Sequence, residues 1–190
     1  MKKILLIIII IALIVGGYEF YKSRADKKVE KQVTVEKEEN INKSAEQKNN
    51  TMRRREVVQA KEFTLKNLQG EEVSLSQFKG KKVFLNFWAT WCPYCRKEMP
   101  DIEKLYNKYK GTDIEILTID IGESKNAVDK FMKTNNYTVP VLLDTDSKIS
   151  AEYGARSTPA FALIDKEGNL VNFRKGAMGY EQMEEFINSN

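Results

Sequence analysis

The only two cysteines of this 190-residue chain sit in Trp91-Cys92-Pro93-Tyr94-Cys95, directly after the apolar run Val83-Phe84-Leu85-Asn86-Phe87-Trp88. That run reads as a buried strand. Pro93 suits the first position of a helix, where its missing N–H costs nothing. The segment is therefore a strand that delivers two thiols to the first turn of a helix. Thiols at that spacing can close into a disulfide, and the partial positive charge of the helix N-terminus favours the thiolate that opens it. Cys-x-x-Cys is a redox signature, and the chemistry it points to is thiol–disulfide exchange.

Composition removes most competitors. The chain has no histidine, so a four-ligand zinc site would need at least two carboxylates beside the two thiolates. Haem attachment through Cys-x-x-Cys-His fails because Arg96 follows Cys95. No metal and no cofactor are expected. A purely structural disulfide is the alternative, although closing so short a loop removes little entropy from the unfolded chain.

Residues 1–21 read as a signal-anchor: Lys2 and Lys3, an unbroken apolar stretch from Ile4 to Val15, then Gly16-Gly17-Tyr18-Glu19-Phe20-Tyr21. No small-x-small site ends the apolar run, which favours a retained anchor over a cleaved signal, the alternative that would release the protein. The apolar stretch falls short of the about 20 residues of a full span, which places Tyr18, Phe20 and Tyr21 in the interface. Lys22, Arg24, Lys27 and Lys28 after the span oppose a simple positive-inside count. The basic head before an apolar run nevertheless has the order of an export signal, so the expectation is a single-pass membrane protein with its domain outside the cytoplasm.

Residues 22–56 form a charged tether with no aromatic side chain. Eleven basic against six acidic residues give 22–55 a charge of +5, so the overall +4 does not describe the rest; from Glu56 onward, 18 basic meet 20 acidic residues. Nucleic-acid binding by the folded part is not expected, and Arg53-Arg54-Arg55 suits anionic lipid or has no role. A disordered tether of this length reaches roughly 30–35 Å.

Residues 57–190 are one domain's length of chain, long enough to bury a core unaided. Phe63-Thr64-Leu65 and Val73-Ser74-Leu75 flank a turn at Gly70 and predict a hairpin. Strands are expected at Val83–Trp88, Ile114–Ile121, Val139–Leu143, Ala160–Ile164 and Leu170–Phe173. Helices are expected at Pro93–Lys110, kinked at Pro100, and at Ala127–Thr134, Lys148–Tyr153 and Tyr180–Ile187. Strands alternating with helices predict an α/β domain. The turn Asp165-Lys166-Glu167-Gly168-Asn169 joins the last two strands as a hairpin, so the sheet should be mixed.

Phe87-Trp88-Ala89-Thr90-Trp91-Cys92-Pro93-Tyr94-Cys95-Arg96-Lys97-Glu98-Met99-Pro100 resembles the thioredoxin superfamily, and within it the TlpA/ResA-like membrane-anchored thiol–disulfide oxidoreductases. Val139-Pro140-Val141-Leu142-Leu143-Asp144, Tyr153-Gly154, Ser157-Thr158-Pro159 and Phe161-Ala162-Leu163-Ile164-Asp165 extend the resemblance over the chain beyond the tether. It implies a thioredoxin-like fold, a mixed central sheet flanked by helices, with an N-terminal β-hairpin and a central αβ insertion. The dipeptide between the cysteines, Pro93-Tyr94, looks instead like that of glutaredoxins, so the potential is not inherited; such sites span about −270 to −120 mV.

Cys92, at the helix N-cap, is expected to be the more exposed and more acidic sulfur and the nucleophile, with Cys95 resolving the mixed disulfide. Glu98, one turn beyond Cys95, is a candidate proton acceptor or modulator of thiol pKa, or else a solvated helix residue. Cytoplasmic thioredoxins carry a buried aspartate where this chain has the neutral Asn86, and relatives in the resembled group pair such an Asn with such a Glu. The resemblance makes Pro159 a cis-proline facing the disulfide, with Thr158 pairing to an extended substrate; a trans proline opening an edge strand is the alternative. Trp91 and Tyr94, with Pro93 between the sulfurs, are expected to form the substrate rim, and Phe87 and Trp88 to be core.

The function implied is an extracytoplasmic protein-disulfide reductase. It would act on disulfide- or thiol-containing exported proteins, as in cytochrome c maturation or envelope repair, with electrons from an integral membrane thiol carrier of the CcdA/DsbD kind. A monomer is expected. The alternative is a DsbA-like oxidant that introduces disulfides, and further off a tethered binding module without turnover. A peroxiredoxin-like peroxidase is not expected, since its Pro-x-x-x-Thr-x-x-Cys pattern meets Leu85 and Ala89 here.

Overall fold

The computed structural model describes residues 58–189; the anchor and tether expected over 1–56 lie outside them. Among the described residues no helix is long and apolar enough to cross a membrane. Seven strands form one mixed sheet: β1 (Thr64–Asn67), β2 (Glu72–Ser74), β3 (Lys82–Trp88), β4 (Ile114–Ile121), β5 (Val141–Asp144), β6 (Ala160–Ile164) and β7 (Leu170–Lys175). Four helices pack on it: α1 (Pro93–Tyr109), α2 (Lys125–Asn135), α3 (Lys148–Glu152) and α4 (Tyr180–Asn188). The strand order is β2-β1-β5-β4-β3-β6-β7, with β3, β4 and β5 parallel and every other pairing antiparallel. The domain has the thioredoxin-like fold. α2 and β5 are the inserted αβ unit, and β5 links the N-terminal hairpin to the central strands.

β3 is buried on both faces from Val83 to Trp88, which is why its sequence is a continuous apolar run rather than an alternation. Val83, Leu85 and Phe87 face a core closed by Phe63, Leu75, Tyr153 and Ala155. Phe84 and Trp88 face the opposite core with Met99, Ile102 and Leu105 of α1 and Met183, Phe186 and Ile187 of α4. Side chains alternate along a strand, so Asn86 lies on this second face, under α1.

The two ends of the sheet are occupied differently. At the end where β3 begins, the Gly80 amide donates to Lys166 O, the Ala60 amide to Gly168 O and the Leu170 amide to Val58 O, so the chain enters the domain beside the β6–β7 turn. In that turn Asp165 Oδ1 accepts from the Glu167 and Asn169 amides while Gly168 takes φ +90°, a backbone region that favours glycine. At the other end β3 runs out at Trp88, and Cys92 follows four residues later.

Candidate functional site

Cys92 caps α1 with extended backbone angles, Pro93 takes the first helical position, and the Cys95 amide donates to Cys92 Sγ at 3.2 Å. The two sulfurs are joined as a disulfide, with the Cα atoms 5.3 Å apart. The expected contrast in exposure is slight, since Cys92 is 3% and Cys95 1% exposed; the helix turn that closes the pair holds both sulfurs inward. What stands proud is the rim, with Trp91 67% and Tyr94 63% exposed. Phe87 and Trp88 are core, Trp88 packing on Phe131 with ring centroids 5.3 Å apart.

The buried stripe of α1 is Cys95, Glu98, Met99, Ile102 and Leu105, the i, i+3, i+4, i+7 spacing of a helix face turned to a core. Glu98 occupies a place on that stripe and is only 4% exposed, so it is not a solvated helix residue. Its Oε1 accepts from the Met178 amide, while its Oε2 is buried without a partner. Burial raises the carboxyl to about 7, against the Met178 hydrogen bond, which lowers it, and with a small addition from Asp101. α1 continues through Pro100 to Tyr109.

The Thr158–Pro159 peptide bond is cis. Among the described residues, neither the Thr158 amide nor its carbonyl joins the backbone hydrogen bonds outside the regular strands. Thr158 and Trp91 border one groove together with Arg156. Pro93 borders a second groove with Arg96, Lys97 and Phe131. Residues 91–93 thus separate two open grooves.

Two acidic residues near the site were not singled out from the sequence. Asp120, at the end of β4 and opposite Trp88 in the parallel register, is fully buried. Both of its oxygens lack a donor. The nearby Glu123 carboxyl offers a hydrogen bond only when one of the two carries a proton, and burial first, then Glu123, pushes Asp120 up to about 8. Glu123 in turn accepts from the Thr90 amide at 2.5 Å and the Thr90 hydroxyl at 2.7 Å, which fixes the loop between Trp88 and Cys92. The available signal was an acid at the end of an otherwise apolar strand, Leu117-Thr118-Ile119-Asp120-Ile121. Asn86 is buried too, with both side-chain amide atoms unpartnered. Among the described residues no cluster of histidine, cysteine or acidic side chains could hold a metal ion.

Residues 58–173 match the family model described as the AhpC/TSA family. Over 129 residues the chain is 42% identical to the thiol-disulfide oxidoreductase ResA of Bacillus thuringiensis subsp. konkukian, covering 68% of this chain and 75% of that one. It is 40% identical over 129 residues to the ResA of Bacillus subtilis, covering 68% and 72%. The crystal structure of the exposed lipoprotein thioredoxin Etrx1 of Streptococcus pneumoniae superposes with a TM-score of 0.62 at 34% identity, over 67% of this chain and 98% of that one. StoA of Bacillus subtilis gives 0.59 at 29% identity, over 67% and 96%.

Proposed function

The chain belongs to the AhpC/TSA family and is a thiol–disulfide oxidoreductase of the ResA kind, and from that premise we propose that it is a membrane-anchored, extracytoplasmic reductase of disulfides in exported proteins. The observation that carries the exchange chemistry is the Cys92–Cys95 pair closed on the N-terminus of α1 between two open grooves, and the apolar stretch Ile4 to Val15 behind Lys2 and Lys3 supports the anchoring. In the reduced protein the Cys95 amide and the helix N-terminus stabilise a Cys92 thiolate. That thiolate attacks a partner disulfide, forming a Cys92 mixed disulfide and expelling the first partner thiol. Cys95 then loses its proton and attacks Cys92 Sγ; the second partner thiolate leaves, and two electrons have passed to the partner.

Glu98, one turn beyond Cys95 on the buried face, is the group proposed to take the Cys95 proton, because a carboxyl near 7 is poised to exchange protons at neutral pH. The amide and carbonyl of Thr158, without backbone partners among the described residues, suit an extended partner segment laid against this edge, with Trp91, Pro93 and Tyr94 as the apolar rim. The electrons are proposed to come from an integral membrane thiol carrier of the CcdA/DsbD type, reached because residues 1–21 hold the protein in the membrane and 22–56 act as its tether. Thiol-containing exported proteins, apocytochrome c cysteines among them, are the proposed clients.

The test is the Cys92–Cys95 reduction potential, equilibrated in glutathione buffers and read through the fluorescence of Trp88 and Trp91. A value below about −230 mV supports a reductant; one above about −150 mV reverses the direction and makes the protein an oxidant. Insulin-disulfide reduction abolished in Cys92→Ser separates turnover from mere binding.

A further inference from the structure

The rim is electrically one-sided. Arg156 lines the groove beside Thr158, and Arg96 and Lys97 line the groove beside Pro93; all three are exposed. Among the described residues none of the three takes part in an ion pair. No carboxylate lines either groove. Three acids of this end of the domain are engaged or covered: Glu98 is buried on the Met178 amide, Asp120 is fully buried, and Glu123 spends both oxygens on Thr90. This is not a reflection of general basicity, because from Glu56 onward acidic residues outnumber basic ones, 20 to 18. A domain of negative balance has placed unpaired cations in both grooves beside its disulfide and lined neither with an acid.

We propose that this face selects partners whose disulfide lies in an extended segment carrying acidic side chains beside the reacting cysteine. Arg156 would meet those on the Thr158 side, and Arg96 with Lys97 those on the Pro93 side. The inference rests on the thiol–disulfide exchange proposed above and adds the chemical class of the segment exchanged. Exposed charges of this kind act chiefly on encounter, raising the association rate of an oppositely charged partner and losing that effect as salt rises.

The experiment uses the reduced full-length chain in detergent and two synthetic peptides. Each holds one cysteine as a mixed disulfide with the uncharged thiol 2-mercaptoethanol, flanked by Asp in one peptide and by Lys in the other. Rates are followed by Trp91 and Trp88 fluorescence and divided by the rate of the same peptide with dithiothreitol, which removes the effect of flanking charge on the leaving thiol. The acidic peptide is expected to react about tenfold faster in about 20 mM salt, the advantage shrinking toward none in about 500 mM. The double variant Arg96→Glu, Arg156→Glu should reverse the preference, which also excludes the basic tether as its source. A ratio near one at low salt, or the wild-type ratio persisting in the double variant, overturns the acidic-partner assignment while leaving the oxidoreductase reading intact. Reaction with neither peptide faster than Cys92→Ser would sink the oxidoreductase reading and this inference with it.

Discussion

Glu98 shows how one side chain can couple chemistry to stability. Its carboxyl, raised to about 7 by burial, binds a proton in the folded protein over a range where the unfolded chain, near 4.5, has lost it. Stability from this group is therefore greatest below about 4.5 and falls as pH rises toward 7, by on the order of 3 kcal/mol in all. Glu98→Gln keeps the acceptor for the Met178 amide and cannot ionise. Its midpoint of unfolding should lie above wild type at pH 8 and match it at pH 4.5; equal midpoints at both would refute the shift. If Glu98 also serves the thiols, the same variant flattens the pH dependence of Cys95-dependent resolution between about 6 and 8. A structural role would leave that profile unmoved. The position was legible: Cys95, Met99, Ile102 and Leu105 mark a buried stripe that includes residue 98. The partner was not, since Met178 lies 80 residues on and only the fold brings its amide to Glu98. Asp120 was missed for a related reason. An acid ending an apolar strand can as easily face water beyond the sheet's edge, whereas the fold buries this one fully, near the Glu123 that holds Thr90.

At the scale of elements, the strands and helices followed the apolar pattern, and two of the displaced boundaries have identifiable hydrogen-bonding causes. A strand expected at Val139–Leu143 begins two residues later, at Val141. Glu103 of α1 takes the Thr138 amide at 2.8 Å, the Thr138 hydroxyl at 2.5 Å and the Val139 amide at 2.9 Å. Pro140, which has no amide to give, offers its carbonyl to the Thr118 amide and hydroxyl instead. α2 likewise starts at Lys125 rather than Ala127, because Ser124 caps it. Glu103 thus fastens the inserted αβ unit to the helix that carries the disulfide. Glu103→Ala should lower stability by about 2 kcal/mol in chemical denaturation, and amide exchange should quicken around Thr138 and Val139. Unchanged exchange there would mean that packing alone holds the insertion.

For the molecule as a whole, the strand order was beyond the reach of pattern. That β5 stands between β1 and β4 depends on which strand the N-terminal hairpin meets across the sheet, a choice made by tertiary packing. Deleting residues 22–56 while keeping 1–21 should leave the reduction potential unchanged, because no charge of that stretch is needed to close the pair on α1. It should slow exchange with partners in the same membrane, measured in vesicles holding both; an undiminished rate would deny the tether a part. The two ends of the sheet bear on this as well. The chain comes in at Val58 beside the β6–β7 turn, and the sulfurs lie past the opposite end of β3, a strand of seven residues that spans roughly 20 Å. The point where the chain enters the domain and the point where it reacts are therefore about a strand's length apart. A label or fusion placed at the entry end would therefore stand clear of the exchange reaction.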